Sequence, residues 1–303
     1  MKYFFFTAIS FILIVNHAKA QGCSDAGFCT IASFKPKQGV TEHKQAIKFG
    51  VNIGAADNNI VAFGNYLEYA NNINKNISIT AKIATLAQSG NGVSAFGIGD
   101  LFLNSAFTVA TNNKITIGVK LPLTNGNAKK NGLSLPMDYQ ASLGTTDLIL
   151  GYSTNIKKLQ LVAALQQPLT QNSNGYLKSS FPTTSIFNST NIRFFESNKF
   201  KRSGDALIRI SYPVSFTKQI KFTPSILPIY HFSNDSYTNA LNVEKEIIDS
   251  KGLTVNVNAF LDYTINAKNI VQLSFGTPLV VRTNRPDGLT RSVVVGLEYS
   301  FKF

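Results

Sequence analysis

The chain has 303 residues, 44% hydrophobic but only 15% charged, with Phe 23, Tyr 11, Cys 2 and Trp 0. Aromatics are too many and charges too few for a disordered chain, and cysteines too few for a disulfide-dense mini-domain. The formal net charge is +13.

The N-terminus opens with Met1-Lys2, an apolar run from Tyr3 to Val15, and Ala18-Lys19-Ala20. A basic start, a short apolar stretch and an A-x-A site predict a secretory signal peptide over 1–20, cleaved after Ala20. The run is too short to span a bilayer as a helix. Cleavage removes Lys2 and Lys19 and no acid, leaving +11 of the formal +13. That balance favours anionic solutes or acidic lipid. Export argues against a nucleic-acid partner. It also makes a Cys23–Cys29 disulfide the expected state of the only two cysteines. Residues 21–42 show no alternation and contain Pro36 and Gly39. They are expected to lie in the periplasm or to plug a lumen, the periplasmic placement being simpler.

From residue 43 onward, period-two alternation recurs to the end. Ile47, Phe49, Val51 and Ile53 alternate with Lys48, Gly50 and Asn52. The same pattern covers Ile77–Ile83, Ile115–Leu121, Ile208–Ile210, Leu253–Leu261 (with Phe260 the exception), Val271–Phe275 and Val293–Phe303. Successive strand side chains point to opposite faces, so one face is apolar and the other small, polar or charged. Short Asn- or Lys-containing turns are predicted at 74–76, 112–114, 155–158, 217–219 and 266–269. Longer connections are predicted near 56–59, 88–98, 124–145, 168–203, 232–250 and 281–290. Together they join about twelve strands. The fold class is therefore all-β: a transmembrane antiparallel up-and-down barrel over 43–303, with an apolar face toward lipid and a polar lumen. Tyr66, Tyr69, Tyr152, Tyr212, Tyr230, Tyr263, Tyr299 and Phe303 are placed near strand ends, as interfacial girdles require.

The predicted inward set is of mixed sign: Lys48, Glu68, Lys82, Lys120, Arg209, Asp262, Glu298 and Lys302. Such charges either interlock and plug the barrel or line a wet path and set its selectivity. About twelve strands leave room for a small channel, not a wide porin. The segment Tyr230-His231-Phe232-Ser233-Asn234-Asp235 carries the one enzymatic pattern. Its His-x-Ser-Asn resembles the active-site strand of outer-membrane phospholipase A and of lipid A deacylase. That resemblance implies His231 as base and Ser233 as nucleophile, with Asn242, Glu244 or Glu246 as orienter. By alternation, His231 points inward, whereas those enzymes hold the dyad against lipid.

Gly97-Ile98-Gly99-Asp100-Leu101-Phe102-Leu103 recurs in kind as Gly144-Thr145-Thr146-Asp147-Leu148-Ile149-Leu150-Gly151. This pattern resembles strand starts of the fatty-acid-transporter and phenol-degradation (meta-pathway) outer-membrane channels. The stretches 250–256 and 285–291 are similar to segments of barrels of this kind. The resemblance implies that Asp100 and Asp147 begin strands at the loop end. The terminus Gly296–Phe303 resembles the C-terminal signal of outer-membrane barrels, with Tyr299, Phe301 and Phe303 at its aromatic positions. It implies outer-membrane lipid and the barrel-assembly machinery as partners, in a Gram-negative bacterium.

The leading expectation is a passive channel for small solutes. The alternatives are a lipid hydrolase using His231 and Ser233, and a non-conducting structural or surface-recognition barrel. No metal or other cofactor is expected.

Overall fold

A computed structural model of the chain describes residues 31–36, 44–288 and 291–303. The signal peptide, its cleavage site and the Cys23–Cys29 pair lie outside these residues. Twelve long strands make the wall: β1 Gln45–Ala56, β2 Val61–Asn72, β3 Ile77–Gly90, β4 Val93–Ala110, β5 Asn113–Pro122 and β6 Asp147–Ile156. The remainder are β7 Leu159–Pro168, β8 Asp205–Ser211, β9 Ile220–His231, β10 Gly252–Thr264, β11 Asn269–Val280 and β12 Arg291–Lys302. Each pairs antiparallel with its sequence neighbours, and β1 pairs with β12, so the sheet closes on itself. Closure leaves no sheet edge and satisfies the ladder without water.

The alternation sorts the side chains as the sequence predicts. Phe49, Ile53, Phe63, Leu67, Leu273, Phe275, Val295 and Leu297 are all exposed on the outer wall. The predicted exception, Phe260, turns inward and is buried under Arg209, whose guanidinium lies 5.7 Å from the ring centre. The outer girdle includes Tyr69, Tyr152, Tyr212, Tyr263, Tyr299, Phe301 and Phe303 near the end where β1 begins and β12 finishes, here the termini end, and Tyr230 near the other. Tyr66 does not belong to it. Its even position on β2 turns it into the lumen, where it is buried and donates to Glu298.

At the termini end the turns are short. The side chains of Asn74 and Asn266 cap them, each accepting two backbone N–H bonds. At the opposite, loop end, two expected long connections are tight. Asp57–Ile60 joins β1 to β2, and Asn91-Gly92, both at positive φ, joins β3 to β4. An Asn-Gly pair suits a two-residue hairpin. The strands run on in place of the predicted loop at 88–98.

That extension corrects the reading of Asp100 as a strand start. Asp100 lies inside β4, opposite Pro122 at the end of β5, where the β3–β4 register shifts by a bulge. The extra residue reverses which side chains face inward. Asp147 does begin β6.

Candidate functional site

The candidate site is the lumen, which changes character along its length. All eight predicted inward charges face it, and several are direct cross-strand neighbours. Lys48 stands opposite Glu68, Glu68 opposite Lys82, and Lys120 opposite Asp147. Lys48 reaches Glu68 at 3.3 Å and Glu298 at 3.7 Å, and Lys35 reaches Glu298 at 3.2 Å. Lys82 sits over the Tyr66 ring, 3.9 Å from its centre. Gly50 makes room for that ring; a Cβ there would overlap it. Lys120 and Asp147 form a fully buried pair at 2.8 Å, shared with Thr145 and Gln166. Lys221, which the sequence reading left out, pairs with Asp262 at 3.0 Å. Opposite charges facing each other across a ladder stabilise it and satisfy each other out of bulk water.

At the level of Lys82 and Lys120, which stand opposite Phe102 on its two flanking strands, the lumen has an apolar waist. Phe102, Ile149, Val162, Ala164, Leu207 and Leu227 project from β4, β6, β7, β8 and β9. Ile31 and Phe34 complete the cluster, at 1% and 0% exposure. The short turn Ala32–Phe34 therefore lies inside the barrel, not outside it. Phe34 packs on Gly151, where a Cβ would overlap the ring.

The loop end is covered. Residues 123–146 run back along the inner side of β3 and β4: Gln88 donates to the carbonyl of Gln140, Asp100 accepts from Ser142 at 2.5 Å, and the Tyr139 hydroxyl donates to the Gly90 carbonyl at 3.0 Å. Together with residues 169–204 they build a core of their own from Leu135, Tyr139, Tyr176, Phe181, Phe187 and Phe194 over Ile60 and Val93. Tyr139 meets Phe187 edge-on at 5.8 Å, and Phe181 meets Phe187 at 5.0 Å.

Beside this lid lies a buried charge cluster. His231 is held at Nδ1 by Asp205 at 2.7 Å and at Nε2 by Asp235 at 2.8 Å. Arg202 reaches Asp205 at 2.5 Å and Asp287 at 3.5 Å; Arg282 bonds to Asp287 and approaches Asp235 at 3.6 Å. Burial opposes the charge on Arg202, but Asp205, Asp287 and Asp235 outweigh it and hold the guanidinium charged. Burial likewise opposes ionisation of Asp287, yet Arg282 and Arg202 pull its pKa below the usual carboxylate range. In the lid, burial raises Asp138 to about 7, helped by the nearby Asp57 carboxylate.

This geometry does not assemble the predicted hydrolytic dyad. Both ring nitrogens of His231 are taken by carboxylates, and the Ser233 hydroxyl bonds to Ser203 at 2.9 Å on the exposed side. Glu244 pairs with Lys201, and Glu246 accepts from Asn234, so neither orients His231. Asn242 occupies the exposed tip of that loop. The sequence reading missed Arg202, Asp205, Asp235, Arg282 and Asp287 as one group. Their only linear signal is acid and base scattered through three loops and one strand start.

With greasy exterior, aromatic girdle and closed ladder, the molecule is a transmembrane β-barrel. Comparison with protein-family models and with curated proteins finds no match. Solved barrels resemble it in structure. The KdgM porin is 9% identical, covering 85% of this chain and 99% of its own, with TM-score 0.44. LpxR from Salmonella typhimurium is 9% identical, covering 85% and 100%, with TM-score 0.45. A FadL homologue from Pseudomonas aeruginosa is 11% identical, covering 95% and 87%, with TM-score 0.40. Likeness of this degree fixes no activity, substrate or partner.

Proposed function

We propose that the protein is an outer-membrane channel for small solutes, seen in a closed state. Its termini face the periplasm and its long loops face outward, as in barrels of this build. The inward charges from Lys48 to Lys302 are its selectivity lining. One observation carries the reading: the barrel's ladder is complete without the segments that obstruct it. Residues 31–36 are an inserted stretch, and the lid is made of loops, so both can move without opening the sheet. A barrel serving only as a scaffold needs no removable stopper.

The test is conductance in planar bilayers. The intact protein is expected to conduct rarely. Deletion of residues 31–36 together with replacement of 171–202 by a short turn is expected to give stable ion current. If that double variant folds, judged by heat-modifiable gel migration, yet stays silent, the non-conducting alternative replaces the channel.

A further inference from the structure

Below the apolar waist, at the termini end, the lumen widens into a cavity of about 270 Å³. Small inward side chains line it: Ala46, Ala70, Ser78 and, on the same strand as Phe102 of the waist, Ala106. Residues Ala32, Ser33, Lys35 and Pro36 form part of its lining. The volume is just under the usual range for drug-sized pockets, ~300–1,000 Å³, and suits a small metabolite.

Its charge is one-sided. Lys35, Lys44, Lys48, Lys114 and Lys302 line it, and no lining residue is acidic. The carboxylates paired with this set are Glu68 and Glu298, which serve Lys48 and Lys35. Three lysines are left in excess. Among the described residues Lys44, Lys114 and Lys302 have no acid within 4.0 Å, although Lys302 is only 4% exposed. Lys302 is enclosed and Lys114 half-buried, while Lys44 is exposed; an enclosed ammonium without a paired carboxylate calls for an anion. The cations are all lysine, point charges without the planar fork of arginine, so they select for charge more than for one carboxylate geometry. Around them Ser78, Thr80, Ser153 and Ser300 supply hydroxyls, and Gln45 and Asn72 supply amides.

We infer that this cavity is a binding site for a small hydroxylated polyanion, held by Lys44, Lys114 and Lys302. The site deepens the channel reading by naming a ligand class.

The test is calorimetric titration of the full chain, in neutral detergent at low salt, with citrate as polyanion and glucose as neutral control. Citrate binding with no glucose binding is expected. Affinity should fall about tenfold in Lys302→Met and in Lys114→Met, stay close to wild type in Lys302→Arg, and not change in Lys201→Met, a surface lysine of the lid. Heat-modifiable migration verifies folding, and Lys114→Met decides the question if Lys302→Met does not fold. No citrate binding by the wild type, or equal binding by all folded variants, overturns the site. The bilayer measurement is separate. Citrate binding by a barrel that never conducts would leave the site standing and remove the channel. Conductance without citrate binding would do the reverse.

Discussion

At the termini end the lumen is shaped by wall side chains in cross-strand register, with one inserted segment across it; at the loop end it is covered by loops that carry their own core. The first region is electrostatic and cavity-containing: Lys48 between Glu68 and Glu298, with lysines in excess around open space. The second is packed. Tyr139 and Tyr176 meet Phe187 edge-on within the lid, and the buried Arg202, Asp205, His231, Asp235, Arg282 and Asp287 interlock beside it. The difference shows how one barrel holds charge in two ways. In the wall, period two delivers opposite charges to facing positions; in the loops, tertiary folding must bring distant residues together.

The largest effect is expected where the wall buries a charge pair completely. Lys120→Met leaves Asp147 uncompensated and should cost about 3–5 kcal/mol in urea unfolding. Adding Asp147→Leu should recover most of that loss. No recovery would mean that the pair acts through its neighbours Thr145 and Gln166 instead.

Next is the waist. Gly151→Ala places a methyl where the Phe34 ring lies, and overpacking of this kind costs about 1–3 kcal/mol. Here the ring can leave. Protease cleavage within the N-terminal segment should rise, and Phe34→Ala in the same chain should relieve the strain on the wall. Unchanged cleavage would show that the segment is held by the Lys35–Glu298 contact more than by Phe34.

The lid should respond to pH. With its pKa raised to about 7 by burial, folded Asp138 favours the neutral form. Its contribution is therefore fully present below the unfolded value near 4, and is lost as pH rises through about 7. Hydrogen exchange of residues 135–143 should speed up over that window, and Asp138→Asn should flatten the profile. The smallest effect belongs to the exposed Lys201–Glu244 pair. Lys201→Ala should leave unfolding unchanged within error, since exposed pairs contribute little.

Much of this was legible in the linear chain, and the reason is the pleat. Alternation alone orients Lys48, Glu68, Lys82, Lys120, Arg209, Asp262, Glu298 and Lys302, because strand geometry leaves each side chain one of two faces. It fails at Asp100, where a bulge resets the parity, and it says nothing of how far β3 and β4 extend. Tyr66 departs from the girdle because parity, not closeness to a strand end, decides which face a strand side chain takes. The His231 cluster was illegible for a different reason: Asp205 begins a strand, whereas Asp235 and Asp287 lie in loops whose paths no periodicity encodes. For residues 31–36, composition left plug and periplasm both open. The burial of Ile31 and Phe34 follows from the apolar patch that Phe102 and Leu227 make across the lumen.

The outer wall faces lipid along its whole alternating length. The chain has no tryptophan, so single Trp substitutions report without background. Brominated-lipid quenching should be strong for Tyr152→Trp and Phe275→Trp on the outer wall, and weak for Ser153→Trp, one residue away and lining the lumenal cavity. Equal quenching at Tyr152 and Ser153, or none at Phe275, would rule out a lipid-facing outer wall.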